Sequence, residues 1–226
     1  MKQSKLLTVI LAIVIAVVLL SASIAAPILC RPFYYAHIDP LELETRSGFT
    51  REEIKTAFNE MLDYCLGAEE FSTGVLRWSE SGKDHFTDVR FLFLLDLKAL
   101  TVSVLLLVVL LIAMRLAAWR PRRLWGRGPA FCAGAGLAGV FLLMCGLAAL
   151  NFDRAFVAFH ALFFPGKDNW LFNPYTDEII NILPQEFFRN CAILILAILV
   201  LGCAILIISD LICSRKKSRY YQKAVP

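Results

Sequence analysis

Four apolar stretches, at about residues 6–29, 97–119, 131–150 and 191–213, decide what this chain can become. A helix needs about 20 mostly apolar residues to cross the hydrocarbon core of a bilayer, and each stretch has that length. Inside lipid every backbone polar group must find its partner within the segment, so each stretch is expected to be helical. Hydrophobic residues make up 58% of the 226 and charged residues only 19%, which removes an ordinary soluble domain from consideration. The fold class expected is mainly α: a polytopic membrane protein with four transmembrane helices and a small extracytoplasmic domain built from two outer segments. The first stretch shares features with a secretory signal peptide, since Lys2 and Lys5 precede it and small residues end it. Its apolar run exceeds the ~7–15 residues of a signal core, so an uncleaved helix is expected. In "PILC" Leu29 stands where a lipidation signal wants a small residue before its cysteine.

Charge orients the spans. The N-terminus carries Lys2 and Lys5, and the end of the second stretch and the loop after it carry Arg115, Arg120, Arg122, Arg123 and Arg127. The tail carries Arg215, Lys216, Lys217, Arg219 and Lys223, and no acidic residue interrupts any of these three segments. Positive loops stay in the cytoplasm, so both termini and the middle loop are expected inside. The chain then divides into transmembrane helices at 1–30, 97–119, 131–150 and 191–213, a cytoplasmic basic loop at 120–130 and a cytoplasmic basic tail at 214–226. Residues 31–96 and 151–190 remain as the two extracytoplasmic segments. The net charge of +4 is the remainder of a basic inner and an acidic outer surface. The basic segments suit anionic membrane lipids, not nucleic acid. This topology places all three histidines, His37, His85 and His160, on the outer side.

The seven cysteines include no metal-type C-x-x-C pair. Cys30, Cys65 and Cys191 lie outside or near the outer edge and leave room for one disulfide of undetermined pairing. In the first outer segment, "TREEIKTAFNEMLDYCLG" predicts one helix. Thr50 is its N-cap, Glu53 completes a capping box, and Ile54, Ala57, Phe58, Met61, Leu62, Cys65 and Leu66 form one buried face. Gly67 is the expected stop. "RPFYYAHIDPLELETRSGF", with two prolines, is expected to be extended or irregular, and "SGKDHFTDVRFLF" to be a turn and polar patch before the second span. In the second outer segment, helical spacing from Phe152 sets Phe156, Phe159, His160 and Phe163 on one side, suited to the acyl–headgroup boundary. Trp170, Phe172 and Tyr175 suit an aromatic belt. Gly134, Gly136 and Gly139 in "GAGLAG" let helices approach closely.

Several standard sites are missing: no G-x-S-x-G elbow, no H-E-x-x-H helix, and no aspartate five residues after any histidine. What remains is histidines with acids close by. His85 lies between Asp84 and Asp88, and His37 two residues before Asp39. Histidine titrates near neutrality and can take a proton from a nucleophile and return it to a leaving group. A neighbouring carboxylate can fix its tautomer and stabilise its charged form. The residues alone leave three readings open: acid–base catalysis, a zinc-assisted lipid or peptide hydrolase using the three histidines, and a non-enzymatic sensor or assembly factor.

"FYYAHIDPLELETRSGFTREEI", "RWSESGKDHFTDVRFLF" and "FVAFHALFFPGKDNWLFNPYTDEIINILPQEFF", with four-span hydropathy, resemble the lipoprotein intramolecular transacylase family of small bacterial membrane proteins. The motifs cover both outer segments. The resemblance implies an acyltransferase of the bacterial cell membrane that acts on diacylglyceryl-modified lipoproteins at the extracytoplasmic face. It would move the sn-2 acyl chain from glycerol oxygen to the α-amine of the lipidated cysteine, giving the lyso form. No cofactor and no metal is implied. Carried onto this chain, the motifs make His85 and His160 the catalytic pair, with His37, Asp39, Asp88, Asn169 and Trp170 as supporting or substrate-binding residues. Which histidine is base and which acid, and the oligomeric state, stay open.

Overall fold

The computed structural model describes residues 2–223, with side-chain surroundings outside 142–150 and 215–223. The chain is mainly helical and divides into two compact units. One takes the chain up to Ser23, Lys98–Gly146 and the chain from Leu196; the other takes Ile24–Leu97 and Leu147–Ile195. Four long helices thread both: α1 (Lys5–Leu29), α5 (Glu80–Leu116), α6 (Pro129–Leu150) and α9 (Gln185–Lys223). Among the described residues, three helical stretches are long and apolar enough to cross a membrane: Lys5–Leu29, Glu80–Leu116 and Gln185–Ser214. Pro129–Phe141 adds a shorter apolar stretch.

In the first unit the basic loop is braced from several sides. Strand β1 (Lys2–Ser4) pairs in parallel with β2 (Trp119–Pro121), and Thr8 Oγ1 donates to the Arg122 carbonyl at 2.6 Å. Asp210 accepts from the Arg123 guanidinium at 3.0 Å and from the Gly128 N–H at 3.2 Å, so an acid on an apolar helix is neutralised where the loop meets it. A Cβ on Gly134 would lie 2.9 Å from the Cys203 carbonyl, so α6 and α9 approach where only glycine fits. Gly136 and Gly139 meet nothing and do not share that role. The side chains of the basic tail, from Arg215 on, lie outside the described residues.

The second unit carries α2 (Arg31–Tyr35), α3 (Leu43–Ser47), α4 (Arg51–Cys65), the first turns of α5, α7 (Phe152–Phe163) and α8 (Ile179–Ile182). Helix α4 forms as its sequence requires: the Thr50 side chain accepts from the Glu53 N–H, and the Glu53 carboxylate accepts from the Thr50 N–H. Its apolar face, with Ile54, Ala57 and Cys65 fully enclosed, meets Tyr34, Ile38, Leu43, Ile179 and Ile182 to form the core. Tyr34 stacks on Phe58 with centroids 3.7 Å apart and donates its hydroxyl to the Ile182 carbonyl at 2.9 Å. Cys30, Cys65 and Cys191 are free thiols.

Two local expectations are corrected. The stretch after Arg31 is not irregular but holds two short helices. Pro32 is tolerated in the first turn of α2, where no N–H partner is needed, and Gly48, at φ 77°, closes α3 in the left-handed region. "SGKDHFTDVRFLF" is not a turn and patch but the first turns of α5, which begins at Glu80. The reason lies 97 residues further on: Asp177, only 5% exposed, accepts from the Ser79 N–H at 2.8 Å and the Ser79 hydroxyl at 2.7 Å. A carboxylate there anchors the helix start, where unpaired N–H groups carry partial positive charge.

Candidate active site

Helix α5 presents His85 one turn inside its start, and α7 presents His160 in its last turn. Their rings lie 5.9 Å apart, 29° from parallel, and each residue is 6% exposed. Aromatic side chains enclose both. Phe164 and Phe172 meet His85 edge-on at 5.0 and 5.4 Å. Phe156 packs on His160 at 4.4 Å, and Trp170 stacks on it at 4.3 Å and 25°. The stripe expected on α7 therefore splits: Phe156 and His160 turn inward, while Phe159, Leu162 and Phe163 are exposed by 48%, 72% and 47%.

The hydrogen bonds decide what each ring can do. His160 Nδ1 lies 2.8 Å from the Phe156 carbonyl. A carbonyl only accepts, so Nδ1 carries hydrogen and the neutral ring keeps its lone pair on Nε2. Burial lowers the His160 pKa, with the Phe156 bond opposing. His85 is pushed further, down to about 4, by burial and then by the neighbouring His160; Asp88 and Asn169 pull the other way. Burial removes the charged imidazolium from water, and a second ring beside it removes the option of charging both.

Asp88, one turn after His85, accepts from Lys167 Nζ at 2.6 and 2.7 Å and from Asn169 Nδ2 at 3.2 Å. Burial raises the Asp88 carboxyl, but the bonds from Lys167 and Asn169 outweigh it and hold it below its ordinary value. Trp170 Nε1 donates to the Lys167 carbonyl at 3.2 Å, which ties the Trp170 stack to the same turn. Asn169 favours the charged form of His85 as a hydrogen-bonding neighbour. Yet the buried atoms His85 Nδ1 and Asn169 Oδ1 complete no hydrogen bond of ordinary geometry.

Of the seven residues singled out in the sequence, five meet here: His85, His160, Asp88, Asn169 and Trp170. The other two are held elsewhere. His37 bonds through Nδ1 to the Phe33 carbonyl at 2.6 Å and packs against Phe33 and Phe187, while Asp39 pairs with Arg51 on the surface. Among the described residues no three His, Cys, Asp or Glu side chains form a group that could hold a metal ion. Sequence reasoning missed Lys167, Phe164 and Asp177, and assigned to an aromatic belt the Phe172 that packs edge-on against His85. Lys167 was within reach, since "GKDNW" sets a cation two residues before Asn169; the others are visible only once α5 and the 164–177 segment meet.

A pair of buried, neighbouring imidazoles, both with depressed pKa values and with one carboxylate beside His85, is acid–base equipment. The family model described as "Lipoprotein intramolecular transacylase Lit" matches residues 9–188. Among solved structures, the membrane integral lipoprotein intramolecular transacylase Lit from Bacillus cereus superposes with TM-score 0.82 at 25% identity, covering 95% of this chain and 97% of that one. The same protein with an H85R mutation matches with TM-score 0.76 at 26% identity, covering 96% and 93%. Comparison with curated proteins finds no match.

Proposed function

This chain belongs to the lipoprotein intramolecular transacylase (Lit) family, and from that premise we propose an O-to-N acyl transfer catalysed by His85 and His160. The substrate is a bacterial lipoprotein whose N-terminal cysteine carries an S-diacylglyceryl group and a free α-amine. The amine attacks the sn-2 ester carbonyl, the ester C–O bond breaks, and an amide C–N bond forms. The product is the lyso form, an isomer of the substrate. All reacting atoms lie in one molecule, so no cofactor is needed, and the protein's task is to fold two groups together and exclude water. Orientation of that kind can contribute about 7–11 kcal/mol in the best intramolecular cases.

Proton traffic explains a pair of histidines. An α-ammonium, with an ordinary pKa of about 7.7–8, loses two protons on becoming an amide, and the glycerol oxygen gains one. His160, the less perturbed ring, accepts at Nε2. His85, neutral at rest, takes up the other proton released by the amine and, because burial makes its charged form a strong acid, passes it to the departing oxygen. The observation that carries this reading is the 5.9 Å pairing of two buried imidazoles drawn from segments 75 residues apart.

The remaining features fit a membrane setting. The four apolar helices span the membrane, both termini and the basic loop lie in the cytoplasm, and the second unit lies at the extracytoplasmic face. There the exposed Phe159, Leu162 and Phe163 of α7 meet acyl chains and lipid. His37, Asp39 and Arg51 lie apart from the pair and serve substrate contact or scaffolding. Expression in a bacterial host lacking lipoprotein N-acylation, followed by mass spectrometry of N-terminal lipopeptides, tests the reading. Lyso-form peptides supporting it would appear with this chain and be absent without it; an unaltered diacylglyceryl population with a free amine refutes it.

A further inference from the structure

We propose that Asn169 is a positioning residue that locks His85 in the Nδ1–H tautomer, with Asp88 and Lys167 fixing which way its amide faces. The inference rests on His85 being the proton donor of the proposed reaction, and it adds how that ring is oriented.

Asp88 is an ionised carboxylate that accepts two close bonds from Lys167, at 2.6 and 2.7 Å, so it has no hydrogen to offer Asn169. The 3.2 Å contact from Asn169 must therefore be made by its NH2 group. That choice leaves Asn169 Oδ1 as an acceptor on the other side of the amide, and it is buried without a hydrogen-bond partner. His85 Nδ1 is also buried without one. Asn169 nonetheless acts on His85 as a hydrogen-bonding neighbour that favours its charged form. A buried polar group without a partner is costly, and two such atoms on adjacent side chains relieve each other only if one donates and the other accepts. Asn169 Oδ1 cannot donate, so His85 Nδ1 carries the hydrogen.

The consequence falls on the opposite side of the ring. With Nδ1 holding its hydrogen toward Asn169, Nε2 alone takes up and releases the mobile proton. His160 reaches the same state by a different route, through the Phe156 carbonyl. Both rings then work through Nε2. The charged groups around His85 are Asp88 on its own helix, Lys167 from the turn and His160 from α7. Lys167 matters because it balances Asp88: with the carboxylate paired, the field at His85 keeps the ring neutral until substrate delivers a proton.

The test reads the tautomer directly. In full-length protein labelled with 15N-histidine, only three imidazoles contribute, and His37→Gln and His160→Gln variants assign the His85 signals. At a pH above its titration, wild-type His85 is expected as the Nδ1–H form, Asn169→Asp to keep that form, and Asn169→Leu to lose it. Turnover of a diacylglyceryl lipopeptide by Asn169→Leu is expected to fall at least about tenfold, as when partners that orient an active-site histidine are removed. In Asn169→Asp the acid limb of the pH–rate profile is expected to move upward, because a carboxylate at Nδ1 favours the imidazolium. An Nε2–H tautomer in the wild type, or an unchanged tautomer in folded Asn169→Leu, overturns the proposal. If Asn169→Leu does not fold, an unmoved acid limb in Asn169→Asp overturns it instead. Absence of turnover in the wild type would refute the transacylase reading, while the tautomer measurement would still decide the role of Asn169.

Discussion

The imidazole of His160 lies 5.9 Å from that of His85, ring planes 29° apart, in a site where both residues are 94% enclosed. Burial holds both pKa values down, His85 to about 4. In the unfolded chain each ring titrates near 6.5. Between those values the unfolded state binds more protons than the folded one, so stability rises with pH across that window and is lost as pH falls from about 6.5 toward 4. For His85 alone the loss amounts to roughly 3 kcal/mol by the bottom of the window. Thermal unfolding in detergent should therefore show a falling midpoint below about pH 6.5, and His85→Gln should flatten much of that slope.

Trp170 covers His160, with ring centroids 4.3 Å apart. Trp170→Ala admits water to the imidazole, and since burial is the main cause of its depressed pKa, the value should rise toward the ordinary 6.5. An NMR titration of His160 checks this; an unchanged midpoint would mean that Trp170 does not set the solvation of the ring.

Asp177 anchors the start of α5 through Ser79, and a Cβ on Gly82 would overlap its carboxylate. Asp177→Ala leaves the Ser79 donors without their acceptor and should cost about 1–3 kcal/mol. Gly82→Ala should displace the same contact. Both variants should lower transacylase turnover with the thermal midpoint, because His85 sits one turn inside the anchored end.

Tyr34 tests the core of the second unit. Its hydroxyl reaches the Ile182 carbonyl at 2.9 Å, and its ring fills the space against Phe58 and Phe187. Tyr34→Phe should cost about 1 kcal/mol and Tyr34→Ala about 3–5 kcal/mol by denaturation. Equal losses would place the stabilisation in the hydroxyl, not the ring.

The elements that read well from sequence are those whose signal is local. The Thr50–Glu53 capping box and the apolar stripe behind it place α4, and long apolar runs place the helices of the first unit. The start of α5 was illegible because its anchor, Asp177, is distant in sequence. The pairing of His85 with His160 came from motif resemblance, since periodicity alone groups His160 with Phe159 and Phe163, which in fact face outward. Lys167 escaped because a lysine in a Pro-Gly turn reads as a solvated charge until Asp88 is brought beside it.

In the proposed reaction His85 and His160 together move an acyl chain from oxygen to nitrogen within one molecule. The direct measurement uses purified protein with a synthetic S-diacylglyceryl lipopeptide bearing a free α-amine. Transfer leaves the parent mass unchanged, so the product is identified by fragmentation: elimination of the thioether yields an N-acylated dehydroalanyl peptide. Wild-type protein should produce that fragment, and His85→Ala and His160→Ala should each abolish it while remaining folded. Full conversion by either folded variant would contradict the claim.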